Sequence, residues 1–80
     1  MKIIRAIVIG AAGRMGGRIL SALHETADIH LGGAVERGDH PFLGRDAGEV
    51  AGMERWNVPL AGSLKEVIAS GDVVIDFTNA

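Results

Sequence analysis

Gly10-Ala11-Ala12-Gly13-Arg14-Met15-Gly16 places three glycines three residues apart, after a β-branched run and before a segment of helical periodicity. A turn of this kind is suited to holding an anion. Gly10 permits the sharp turn off a strand, Gly13 lets backbone approach a pyrophosphate, and Gly16 lets the next helix pack close to the strand. The helix start then offers free N–H groups and its positive dipole end to the phosphates, and Arg14 adds charge. Glu36 follows Gly16 by 20 residues, at the end of the next apolar run. A carboxylate there accepts hydrogen bonds from the adenosine ribose of a dinucleotide. Arg37 beside it suits the 2′-phosphate of NADP, whereas Glu36 alone favours NAD because it repels that phosphate. The pair reads as tolerating both cofactors. The competing readings are a packing turn without ligand and an Arg37 that is simply solvated.

The elements that must position these residues follow from periodicity. Ile3 to Ile9 is apolar except for Arg5 and ends at Gly10, which predicts a buried strand. Arg14 to Thr26 predicts a helix with Met15, Ile19 and Leu23 on its inner face. Ile29 to Val35 predicts a second strand, weakened by Gly32 and Gly33. Gly38 to Gly62 reads as irregular, with a helical turn within Asp46 to Met53 and a short extended piece at Val58-Pro59-Leu60. Ser63 and Glu66 match a capping box, so a helix is expected to run to Ser70 and stop at Gly71. Asp72 to Phe77 predicts a third strand. Its end brings Phe77 and Thr78 to the edge where doubly wound sheets bind ligands, with plain strand termination as the alternative.

This alternation argues for an α/β fold with a parallel sheet. A strand order 3-2-1 would put both helices on one face and leave the first strand with an unpaired edge. The first and third strands nevertheless read as covered on both faces. The stretch 1–80 is therefore expected to be the βαβαβ half of a larger doubly wound domain.

Composition narrows the class. Hydrophobic residues at 48% exclude a disordered chain, and a net charge of −2 argues against a general nucleic-acid binder. The absence of cysteine excludes a disulfide framework and a thiolate metal site, and with the lack of a signal peptide or apolar span points to a cytoplasmic protein with no membrane partner. His24, His30 and His40 have no partner at metal-ligand or triad spacing, so no metal site is expected. Glu49 and Glu54 read as solvated loop charges, and Phe42, Met53 and Trp56 as residues packing the loop onto the sheet edge.

Taken together, the sequence resembles the amino-terminal part of the dihydrodipicolinate reductase (4-hydroxy-tetrahydrodipicolinate reductase) family. The resemblance lies in Val8 to Gly16, Ala34-Val35-Glu36-Arg37, Leu43 to Glu49 and Val74-Ile75-Asp76-Phe77-Thr78, in the family's order. It implies a Rossmann-type domain over 1–80 that binds NADH or NADPH. Gly10, Ala11, Ala12, Gly13, Arg14 and Met15 would touch the pyrophosphate, Glu36 the ribose and Arg37 the extra phosphate. It further implies hydride transfer to a cyclic dicarboxylate in the diaminopimelate route to lysine, by a homotetramer. The family's second cofactor loop, substrate domain and catalytic residues fall outside 1–80, so this stretch alone is expected to be inactive. A non-catalytic nucleotide- or CoA-binding module, or another NAD(P)-dependent oxidoreductase, is the alternative.

Overall fold

The computed structural model describes residues 3–76. Four strands, β1 (Ile4–Ile9), β2 (Ile29–Val35), β3 (Leu60–Ala61) and β4 (Val73–Asp76), form one parallel sheet in the order β3-β2-β1-β4. Helix α1 (Arg14–His24) joins β1 to β2, and the one-turn helix α2 (Ala47–Val50) lies in the long segment before β3. The sheet carries the first four strands of the doubly wound order 3-2-1-4-5-6, as expected of a Rossmann-type fold.

The expected strand order is corrected. The strand beginning near Asp72 does not extend the sheet beyond β2. It pairs with β1 on its other side, Ile7 with Val74 and Ile9 with Asp76. The outer place beside β2 is taken by β3, which includes Leu60 of the extended piece. β1 is therefore central and both its edges are paired. The chain runs outward from β1 to β3 and then returns past β1, so the topological switch point lies between β1 and β4.

That topology also covers the second face of β1, but not β4, whose Val73 and Val74 stay exposed, contrary to the expectation that this strand is covered on both faces. Successive strand residues point to opposite faces. Ala6 and Val8 join Leu20, Leu23 and Ala34 in the core under α1, all of them buried. Ile7, between them, is fully buried on the other face, where a Cβ on Gly71 would meet its side chain at 2.6 Å. The cover is the segment 64–70, for which a full helix was expected. It forms two 3-10 turns, Leu64–Glu66 and Ile68–Ser70, interrupted at Val67 (φ −124°). Seven residues are too few to hold an α-helix by propensity alone, even with Leu64, Lys65, Glu66 and Ala69 favouring one. The capping box does not close: the Ser63 hydroxyl donates to the Glu66 carboxylate at 3.3 Å instead of accepting a backbone N–H. Gly71 ends the segment as extended backbone (φ −139°), a close-packing position and not a left-handed cap.

The inner face of α1 also differs from the expected one. Gly16, Leu20 and Leu23 are buried, Ile19 is partly buried and Met15 is 52% exposed. Trp56 and Met53 pack against the core as expected, whereas Phe42 is exposed beneath the Arg45 guanidinium, 4.9 Å from its ring centre.

Candidate functional site

β1, β2 and β3 end together, and their last residues build the site. Gly10 leaves β1 with φ +78°, a left-handed conformation that favours glycine. Its N–H and that of Ala11 both donate to the Val35 carbonyl, at 2.8 and 3.2 Å, which folds the turn over the end of β2. Gly13 precedes α1 in extended conformation and closes the turn on the Gly10 carbonyl at 3.2 Å.

Gly13 and Gly16 differ in what surrounds them. A Cβ on Gly16 would collide with the Gly10 carbonyl oxygen and lie 2.7 Å from the carbonyl carbon and oxygen of Ala11. Gly16 is therefore required by packing. A Cβ on Gly13 would meet only the Gly10 oxygen, at an ordinary 3.6 Å. Nothing within the described residues clashes with a side chain there.

The start of α1 is prepared for an anion. Gly17 N–H donates to the Gly13 carbonyl at 2.9 Å, the first bond of the helix. The N–H groups of Arg14, Met15 and Gly16 find no acceptor among the described residues. No acidic side chain occupies the first turn and no side chain caps it. Three unpaired donors and the positive end of the helix dipole thus lie beside the glycine turn. Gly16 belongs to this set through its N–H, a donor role its spacing alone did not reveal.

Glu36 extends from the end of β2 toward the same turn. Its Oε2 accepts the Ala12 N–H at 2.9 Å and its Oε1 the Arg37 N–H at 3.2 Å. Its own N–H donates to the Ala61 carbonyl at 2.9 Å, tying β2 to β3. The Arg37 side chain is exposed, 3.7 Å from the equally exposed Asp39 carboxylate. Gly10, Ala11, Ala12, Gly13, Arg14, Met15, Glu36 and Arg37 are thus brought to one edge of the sheet. Phe77 and Thr78 lie outside the described residues. Asp76, which precedes them, pairs with Ile9.

The support beneath this edge was not legible beforehand. Asp46, 6% exposed, accepts N–H groups of Glu49 (3.1 Å) and Trp56 (2.9 Å) on Oδ2 and of Val58 (2.9 Å) on Oδ1. Burial pushes its carboxyl up, but these backbone donors, with Asn57, outweigh burial and hold its pKa below the ordinary value. Asp46 thereby folds residues 46–58 into a unit that delivers β3 to β2. Its signal in the sequence was the Asp-x-x-Glu spacing to Glu49, an N-cap pattern. The histidines stay apart from the site. His24 stacks on Trp56 with ring centres 5.0 Å apart and lies 3.6 Å from Glu54. His40 Nδ1 accepts the Phe42 N–H at 3.0 Å, and His30 is exposed in β2.

The family described as "Dihydrodipicolinate reductase, N-terminus" matches residues 4–80. The 4-hydroxy-tetrahydrodipicolinate reductase of Syntrophotalea carbinolica is 48% identical over 75 residues, covering 94% of this chain and 28% of that protein. The reductase of Sinorhizobium fredii is 43% identical with the same coverage. The 4-hydroxy-tetrahydrodipicolinate reductase 1 of Mesorhizobium japonicum is 49% identical over 72 residues, covering 90% of this chain and 26% of that protein. The chain thus spans little more than a quarter of the length of these relatives.

Proposed function

We infer that this chain, which belongs to the dihydrodipicolinate reductase family, binds the adenosine and pyrophosphate portion of NADH or NADPH at the carboxyl ends of β1 and β2. One observation carries the reading: the N–H groups of Arg14, Met15 and Gly16, without an acceptor among the described residues, open α1 beside a left-handed glycine turn, with Glu36 at the end of β2. The residues fit the cofactor. The helix start supplies donors for the pyrophosphate. Gly13 leaves room above the turn, and the Arg14 guanidinium adds charge. Glu36 has acceptor positions to spare for ribose hydroxyls. Arg37 is exposed and able to exchange Asp39 for a 2′-phosphate. Ala11 and Ala12 shape the turn, and Phe77 and Thr78 are proposed to extend the contact at the end of β4.

When bound, the cofactor supplies the hydride. The residues of this chain bind and orient its adenosine half, which fixes where the nicotinamide can reach. For the whole protein we propose hydride transfer to a cyclic dicarboxylate, the reduction that yields tetrahydrodipicolinate in the diaminopimelate route to lysine, in a cytoplasmic homotetramer. No catalytic residue is assigned within 1–80, and this stretch alone is expected not to turn substrate over. The test is calorimetric titration of the folded chain with NADH, NADPH and CoA. Saturable binding of the two dinucleotides and not of CoA supports the reading. Selective CoA binding would replace it with a non-catalytic nucleotide module.

A further inference from the structure

We propose that Glu36 is a positioning residue for the glycine turn, so that one carboxylate couples the ribose end of the site to its pyrophosphate end. The proposal rests on the dinucleotide reading above and adds to it a second task for the same side chain. Among the N–H groups of residues 10–13, those of Gly10, Ala11 and Gly13 donate to main-chain carbonyls. Ala12 N–H alone donates to a side chain, the Glu36 carboxylate, at 2.9 Å. A charged acceptor makes this bond stronger than the neutral ones around it. The partners are 24 residues apart in sequence, so the bond fastens the turn to the end of β2. Glu36 is itself held to β3 through its N–H and the Ala61 carbonyl. Turn, β2 and β3 therefore meet at one residue.

The arrangement leaves the carboxylate able to do both tasks. An ionised carboxylate offers about four acceptor positions. Two are taken, by the N–H groups of Ala12 and Arg37, and the rest remain for ribose hydroxyls. Aspartate, one methylene shorter, keeps the charge but not the reach to Ala12.

Two readouts test this on the ligand-free and ligand-bound chain. In Glu36→Ala, amide exchange at Ala12 should accelerate about tenfold or more, as loss of a charge-assisted bond implies, while β1 amides keep their protection. Glu36→Gln, which preserves shape, should fall between. Unchanged exchange at Ala12 overturns the proposal. Calorimetry then compares NADH with an analogue lacking both hydroxyls of the adenosine ribose. A residue that only reads the ribose would leave analogue affinity unchanged in Glu36→Ala. A residue that positions the turn weakens the analogue as well, by about three- to tenfold. Unchanged or tighter analogue binding overturns the proposal. If the unsubstituted chain binds neither ligand but Ala12 exchange still accelerates in the variant, the dinucleotide reading fails while the clasp on the turn is supported.

Discussion

Alanine at Gly13 and alanine at Gly16 should do opposite things, though the two positions are one helical turn apart. At Gly16 the new methyl collides with main-chain atoms of Gly10 and Ala11, with the two Ala11 atoms at 2.7 Å. Neither partner is a flexible side-chain end, so α1 must move away from the turn. Overpacking of this kind costs about 1–3 kcal/mol, and better helix propensity returns about 1 kcal/mol. A net loss of up to about 2 kcal/mol is a large part of the stability of so small a domain. It lowers Tm by about 4–8 °C for each kcal/mol. At Gly13 the backbone is extended (φ −80°, ψ 176°) and the methyl has an ordinary 3.6 Å contact. Stability should change little, because the gain of about 0.4–1 kcal/mol through the unfolded chain is offset by alanine's poorer fit at the N-cap of α1. Affinity for NADH should instead fall at least about tenfold, since the methyl occupies space that the pyrophosphate needs. Thermal denaturation followed by circular dichroism and calorimetric titration give both numbers. A Gly13→Ala chain that binds NADH normally would refute the argument that ligand approach explains this glycine. A Gly16→Ala chain of unchanged Tm would refute the packing argument.

Asp46→Asn should destabilise the fold by about 2–4 kcal/mol, because three part-buried N–H groups lose a charged acceptor; urea denaturation measures it. The carboxyl pKa is depressed by folding, so its stabilising contribution is complete above the ordinary value of 3.8 and is lost as pH falls through the lower folded-state value. The acid limb of a stability–pH profile should accordingly be flatter in Asp46→Asn. Arg37→Ala should weaken NADPH about tenfold and leave NADH largely unaffected, as parallel titrations would reveal. Leu20→Ala empties a fully buried position under α1 and should cost about 2–5 kcal/mol in denaturant unfolding.

The parts of this architecture written in local pattern were readable from the sequence. The β-branched run ending at Gly10, the helix that starts at Arg14 and the second strand through Val35 all form where periodicity puts them. Glu36 stands at the end of β2, as the spacing implied, while its carboxylate's bond to the Ala12 N–H of the glycine turn is a contact the spacing did not imply. What local pattern does not encode is which edge of β1 receives the last strand. That choice depends on Leu60 and Ala61, two residues whose brief pairing with Ala34 and Val35 turns an irregular segment into the outermost strand. Once β3 occupies that edge, β4 must return to β1, and residues 64–70 must cross the face opposite α1. Their 3-10 geometry follows from close packing, with Gly71 against Ile7 and Val67 against Gly33. Propensity and capping signals have no access to such tertiary contacts. The role of Asp46 is not written in local pattern for a related reason: two of the N–H groups it accepts lie 10 and 12 residues away.

The most direct test of the central claim is calorimetric titration of the folded chain with NADH. Trp56 is a poor reporter by contact quenching, because it packs against His24 at the far end of α1 from the glycine turn. Heat of binding needs no such reporter. The account predicts saturable one-to-one binding of NADH that Gly13→Ala weakens without loss of fold. No measurable heat from a chain with an intact circular dichroism spectrum and cooperative melting would contradict it.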